Sequence, residues 1–323
     1  MKNILLAPSF EKLVHTNARV KPGEKVVIVT DFQMCDIAQQ LAATIYAAGG
    51  KIVICTMLPR EKDGQEPEDA IAAAMSEADV IFSPVSKSIT HTNAIKSALK
   101  KGARAILMTA YNENILLSNA LLKTDFQTQI PICYKVGDAF TAGSEIHLTS
   151  PLGTDLRFSI EGRKANVLTN VPEPGELAPV PDIEVNVVPV TGTASGKLVI
   201  DACVPYLGIG ILREPIHCEV RKGRIITMEG GEQARFLKSR LDSYNDINCF
   251  NVAELGVGLN PEARLSGNML EDEGIIGTIH IGIGTSVTLG GEIKAPMHYD
   301  LIMWNPTIEV DGKIIQKNKD ILL

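Results

Sequence analysis

Two contrasting textures predict an α/β protein of two domains. Over residues 1–143 short β-rich runs alternate with Ala-rich helical ones, and over residues 144–323 closely spaced strands are set among turn residues. Strands joined through single helices need crossover connections, so the first half reads as a Rossmann-like parallel sheet with helices on both faces. The second half reads as a mainly antiparallel β domain with a few helices, of α+β type, and is the expected seat of a metal site. At 323 residues and 45% hydrophobic content, the chain has enough apolar surface for two cores.

Each element has a local reason. "EKVVIVTD" (24–31) is a β-branched run bounded by charge and reads as a buried strand. "IAQQLAATIYAAGG" (37–50) is rich in helix formers and ends on glycine, and "KIVICTM" (51–57) is the next strand. "EDAIAAAMSEAD" (68–79) is a helix leading into the strand "VIFSP" (80–84). "THTNAIKSALKKGA" (90–103) is a helix with a glycine stop, followed by the strand "RAILMTA" (104–110). Beyond about Ser144 the strands "KLVIDACV" (197–204), "PIHCEVRKGRIITMEG" (215–230) and "GTIHIGIG" (277–284) stand out. Within the second of them "VRKGRI" reads as a hairpin with a Lys-Gly turn. One helix, "EQARFLKSRLDSY" (232–244), interrupts the strands.

Composition narrows the function. The net charge is −7 and the basic residues are scattered, which argues against a nucleic-acid partner and for a small-molecule or small-peptide substrate. No apolar stretch of roughly 20 residues is present to span a bilayer. The six cysteines are widely spaced and never form CxxC, so they read as reduced thiols, and a cytoplasmic location is expected. The first strand is followed by "VTDFQMCD", without a GxGxxG, and no GxxxxGK occurs anywhere, so nucleotide binding is not expected. Neither GxSxG nor HExxH is found, which leaves covalent catalysis without a recognisable nucleophile.

The chemistry is expected in the second half. His298 and Asp300 in "APMHYDLIMW" fall on one face if the segment is a strand, because strand side chains alternate with a period of two. His280 sits among Gly277, Gly282 and Gly284, where another group can approach closely. Glu254 in "AELGVG" and Glu176 in "PGELAP" are acids in glycine- or proline-rich surroundings. Taken singly, a histidine on a strand is more often a hydrogen-bonded core or surface residue than a ligand. What draws attention is their joint occurrence in a chain with six histidines.

"NVPEPGELAPVP" (170–181), "AELGVGLNP" (253–261), "DEGIIGTIHIGIG" (272–284) and "GGEIKAPMHYD" (290–300) resemble, in order, the metal-binding segments of the aminopeptidase T and aminopeptidase S family of dinuclear metallopeptidases. "KPGEKVVIV", "SITHTNAIKSALKKGAR" and "SPLGTDLRFSIEGR" are similar to further segments of that family, so the likeness runs through nearly the whole chain. It implies Glu176, Glu254, His280, His298 and Asp300 as ligands of two divalent ions, zinc, cobalt or manganese. Three carboxylates and two neutral imidazoles would leave two such ions a net positive centre, able to lower the pKa of a bridging water and polarise a carbonyl. The implied activity is hydrolysis of an N-terminal peptide bond or small amide. The chain departs from that family in length and in lacking its tyrosine after the histidine: here the segment reads "HIGIGTSVTLGG".

The shorter chain is also similar to the mononuclear Fe(II) dioxygenases that open the ring of dihydroxypyridines. These share the "GLNP" and HxD segments but carry histidine where this chain has Glu254. His280, His298 and Asp300 would by themselves make a two-His, one-carboxylate set suited to O₂ chemistry. In that branch a histidine in a segment like "SITHTNAI" serves as acid or base, which singles out His91; its ordinary alternative is a helix-start residue beside a Thr90 cap. The expectation taken forward is the hydrolase, with the dioxygenase as alternative and an inactive metal or ligand binder as a third reading. Family likeness and short β edges imply a homodimer.

Overall fold

The computed structural model of the chain describes residues 2–323. Its contacts divide it into two compact units. The first runs to Gln127 and includes Leu168–Pro181; the second comprises Thr128–Val167 and Asp182–Leu323. The single cut expected at 143/144 is therefore replaced by an earlier boundary and a returning segment. The helix Phe126–Ala142 explains the earlier boundary. A Cβ on Gly137 would lie 2.5 Å from Val167 and 3.9 Å from Val185, so the bare glycine lets this helix press onto strands of the second unit. Segment 168–181 returns because its short strand Leu177–Ala178 adds to the sheet of the first unit.

In the first unit β1 (Lys25–Asp31), β2 (Lys51–Met57), β3 (Val80–Val85) and β4 (Arg104–Thr109) form a wholly parallel sheet in the order β2-β1-β3-β4, with Leu177–Ala178 beyond β4. One sheet face presents Val27, Val29, Ile81, Val85, Ala105 and Leu107 to Ile71, Met75, Ile95 and Ala98 of two helices. The strand β2 lies at the edge of this sheet, and its Val53 and Ile54 are 53% and 43% exposed.

Two antiparallel sheets build the second unit. The eight-stranded one includes the hairpin Ile216–Arg221/Arg224–Glu229, whose turn residues Lys222 and Gly223 take φ of 48° and 77°. Those left-handed values match the twist of a two-residue hairpin loop. The other sheet carries, as consecutive neighbours, Cys203–Val204, His298–Trp304, Thr278–Gly284, Val252–Gly258 and Glu184–Val187. Strands Val252–Gly258 and Thr278–Gly284 are buried at every residue, which is why they read as apolar and glycine-rich runs, interrupted only by Glu254, Thr278 and His280, rather than alternating ones. Among the described residues no helix is long and apolar enough to cross a membrane.

Candidate metal centre

The register of this second sheet brings four of the predicted residues together, Glu254, His280, His298 and Asp300. Directly paired residues of antiparallel strands share a face. Glu254 pairs with Gly282, which pairs on its other side with Asp300. His280 pairs with Gly256, His298 with Gly284, and Glu184 with Gly258. Donors and glycines thus alternate like the squares of a board, each donor having a bare backbone beside it. The space is used: a Cβ on Gly256 would lie 1.9 Å from His280 Nε2, and one on Gly282 would lie 2.8 Å from both Glu254 Cβ and His298 Nε2.

The side chains converge. His298 Nε2 lies 2.9 Å from Glu254 Oε2 and 3.2 Å from Asp300 Oδ1. His280 Nε2 lies 3.3 Å from Glu184 Oε2 and 3.9 Å from both Glu254 Oε1 and Asp300 Oδ1. Glu184, Glu254, His280 and Asp300 are all buried, while His298 is partly exposed and forms the open side of the cluster. The Nδ1–H of His298 donates to the Thr285 carbonyl at 2.7 Å, a contact that in the neutral ring keeps the proton on Nδ1 and turns Nε2 toward Glu254 and Asp300. Asn186 donates to Glu184 Oε1 at 2.6 Å, and the Tyr206 hydroxyl reaches Asp300 Oδ2 at 2.8 Å and Glu273 Oε1 at 2.9 Å.

Asp182 and Glu273 add two more buried carboxyls, and the charges distort every titration here. For His280, burial works against the charged form, but the Glu184 charge and the bond to Glu254 outweigh it and raise the pKa to about 10. His298 is likewise driven well up against its own burial, chiefly by Asp300. Burial, with Glu184 beside it, pushes Asp182 well up; burial opposed by His280 brings Glu184 to about 7; burial with Asp300 nearby raises Glu273. Glu254 and Asp300 move the other way: burial opposes their ionisation, but the two imidazoles hold both as carboxylates. Among the described residues no lysine or arginine pairs with this cluster.

Two sets of donors are close enough to grip a cation. In Glu254, His298 and Asp300, and again in Glu184, Glu254 and His280, the ligand atoms lie within 4.8 Å of one another, and Glu254 belongs to both. The buried Asp300 Oδ1 has no hydrogen-bond partner although it faces both imidazoles. An orphaned carboxylate oxygen in such a place fits a ligand position.

A family profile for 2,5-dihydroxypyridine 5,6-dioxygenase (NicX) matches residues 6–322. The chain belongs to that family. The 2,5-dihydroxypyridine 5,6-dioxygenase of Pseudomonas putida KT2440 is 24% identical over 266 residues, covering 78% of this chain and 73% of the relative. A solved 2,5-dihydroxypyridine dioxygenase from the same organism superposes with a TM-score of 0.86 at 20% identity, covering 99% of this chain and 97% of the other. Wild-type AmpT from Thermus thermophilus superposes with a TM-score of 0.73 at 14% identity, covering 99% of each, a likeness of fold alone.

Membership of the NicX family corrects the functional expectation. Both resemblances read from the sequence are present, but the dioxygenase one is the stronger, and the hydrolase, aminopeptidase and metalloprotease reading is overturned by the family match and the named relative. The sheet gathers Glu254, His280, His298 and Asp300, and Glu176 needs correcting: it is an exposed residue of the first unit. Its carboxylate accepts from the Glu173 N–H at 2.9 Å, closing the turn in which Gly175 has φ 91°. The strand Glu184–Val187 instead adds Glu184 to the donor cluster. A signal was available, since Asp182, Glu184 and Asn186 recur every second residue in the otherwise apolar run "PDIEVNVV". Nothing in "VPYLGIG" marks Tyr206. His91 is exposed in the turn before the helix Asn93–Lys100, whose cap is Thr92 rather than Thr90: Thr92 Oγ1 accepts from the Ile95 N–H at 3.4 Å.

Proposed function

We propose that this protein is a metal-dependent dioxygenase that opens a hydroxylated pyridine ring, with 2,5-dihydroxypyridine as the substrate to try first. The observation that carries the reading is the convergence of Glu254, His298 and Asp300 on one buried sheet face in a chain of the NicX family. Fe(II) is the proposed ion, and when bound it would supply the one-electron chemistry that spin-paired organic rings lack toward O₂. His298, Asp300 and Glu254 would hold it. His280 adds a second imidazole, its Nε2 3.9 Å from Asp300 Oδ1, which makes the set two histidines and two carboxylates. The neighbouring group that shares Glu254 offers donors for a second ion, and metal analysis per chain decides between one and two.

The chain's own residues do the rest. The Thr285 carbonyl keeps His298 in the tautomer that presents Nε2, and the buried floor formed by Glu184, Glu254 and His280 keeps bulk water from the ligand atoms. His91 enters as the candidate acid or base for the ring hydroxyl, an exposed imidazole that His91→Gln would remove without disturbing the Thr92 cap. A cytoplasmic location suits six free cysteines and an ion that must stay reduced. A homodimer is part of the proposal, supported by the exposed Val53 and Ile54 on the edge strand β2. Light scattering in solution would give twice the chain mass.

The test is anaerobic loading with Fe(II), then addition of O₂ and 2,5-dihydroxypyridine while oxygen and ring absorbance are followed together. One O₂ consumed per ring lost is expected, because both oxygen atoms end in the opened product. Stoichiometrically loaded protein that consumes no oxygen with this or related hydroxypyridines overturns the reading.

A further inference from the structure

We propose that Tyr206 is a positioning residue for Asp300, fixing which carboxylate oxygen is offered to the metal. The inference rests on reading Asp300 as a ligand. It begins in the segment "VPYLGIG" (204–210), which links the short strands Cys203–Val204 and Gly210–Ile211. The reversal is tight: Leu207, Gly208 and Gly210 take φ of 59°, 73° and 64°, and the Ile209 N–H donates to the Tyr206 carbonyl at 2.9 Å. Leucine seldom adopts a left-handed conformation, so the loop holds its shape against a local preference.

Register explains where this loop delivers its phenol. Cys203 pairs antiparallel with Ile302, so three residues further on Tyr206 comes level with Tyr299. Their ring centroids lie 4.9 Å apart at an interplanar angle of 35°, within the range of favourable aromatic pairs. The Tyr299 hydroxyl is in turn 2.9 Å from that of Tyr244, which anchors the stack on helix Glu232–Ser243 and its cap. Held in this way, the Tyr206 hydroxyl meets Asp300 Oδ2 at 2.8 Å and Glu273 Oε1 at 2.9 Å.

The two oxygens of Asp300 are thereby made unequal. Oδ2 is engaged by the phenol, whereas Oδ1 has no hydrogen-bond partner and faces His298 Nε2 at 3.2 Å and His280 Nε2 at 3.9 Å. Without the phenol, Asp300 could turn about its terminal bond and offer either oxygen or both. Partners of this kind orient first ligands and raise metal affinity. Nothing in the arrangement places Tyr206 on substrate, so its effect is exerted through Asp300.

The experiment compares wild type, Tyr206→Phe, Tyr299→Phe and Glu273→Gln as full-length metal-free proteins. Affinity for Co(II) is read by competition with a chromophoric chelator, and ligand geometry by the visible spectrum of the Co(II) protein. Tyr206→Phe is expected to bind about tenfold or more weakly and with an altered spectrum. Tyr299→Phe and Glu273→Gln keep the phenol on Asp300 and should stay within about twofold of wild type with its spectrum. If Tyr206→Phe matches wild type in both readouts, the role of Tyr206 falls while the metal site stands. An equal loss in Glu273→Gln would reveal a general disturbance of the pocket and overturn the assignment even should the Phe variant not fold. Wild-type protein that binds neither Co(II) nor Fe(II) removes the underlying reading as well.

Discussion

Gly256→Ala is the sharpest probe of the board of donors and glycines. The new methyl would stand 1.9 Å from His280 Nε2, 2.2 Å from Cε1 and 2.7 Å from Cδ2. Since carbon and nitrogen pack no closer than about 3.5 Å, the imidazole must retreat by about 1.5 Å. It has nowhere easy to go. The ring is 1% exposed, and Glu184 Oε2 already lies 3.3 Å from its Nε2. Gly256 does not occupy the left-handed region, so alanine suits its backbone and the whole effect is steric. Overpacking of this kind costs about 1–3 kcal/mol, and about 2 kcal/mol would be a roughly thirtyfold shift in an equilibrium constant. Denaturant unfolding of the metal-free protein reads the first effect and chelator competition the loss of metal affinity. Gly282→Ala, whose methyl would meet Glu254 Cβ and His298 Nε2 at 2.8 Å, should do less harm. A Gly256→Ala protein with wild-type stability and wild-type metal affinity would refute the placement of His280 against this backbone.

His298→Ala or Asp300→Ala should abolish stoichiometric metal binding, measured by elemental analysis after desalting, because each removes a donor from the group that also contains Glu254. Glu184→Ala should weaken metal loading about tenfold or more, whereas Glu176→Ala, which removes only a turn-closing acceptor, should leave it unchanged. Metal affinity should strengthen as pH rises from about 6 to about 9, since an ion must displace protons from imidazoles whose pKa values are raised, that of His280 to about 10. Isothermal titration in buffers of different ionisation enthalpy would report the protons released, and an enthalpy independent of buffer would contradict this.

Much of this was legible before any coordinates. Alternating β-branched and Ala-rich runs specify the parallel sheet, because each element carries its own period and its own stop. His298 and Asp300 could be placed on one face from the strand period alone, and glycines flanking His280 foretold a close neighbour. The return of residues 168–181 could not be read, because a two-residue strand such as Leu177–Ala178 has no periodicity and is specified by its partner. Glu176 is singled out by a resemblance in a turn motif, whereas Glu184, a buried acid inside an apolar strand, reads locally as an anomaly and is not among the expected ligands. Activity was least legible. The same carboxylates and imidazoles suit more than one metal chemistry, and fold does not choose between them.

The charges of the cluster also suit a bound cation, without reference to relatives. Fully ionised, the carboxyls of Asp182, Glu184, Glu254, Glu273 and Asp300 against two imidazolium rings would leave three uncompensated negative charges in a buried place. The cluster avoids this by protonating acids: Asp182 and Glu273 are driven well up and Glu184 to about 7, while Glu254 and Asp300 stay ionised. That lowers the negative excess and leaves Glu254 and Asp300 as carboxylates facing two imidazoles driven toward their charged form. Exchanging both imidazolium protons for one divalent cation would leave the net charge unchanged and free two nitrogens as ligands. A second ion would require two of the three protonated acids to ionise, with Glu184, the one nearest neutral pH, yielding first. The release of about two protons per ion bound is the expected measure of that exchange.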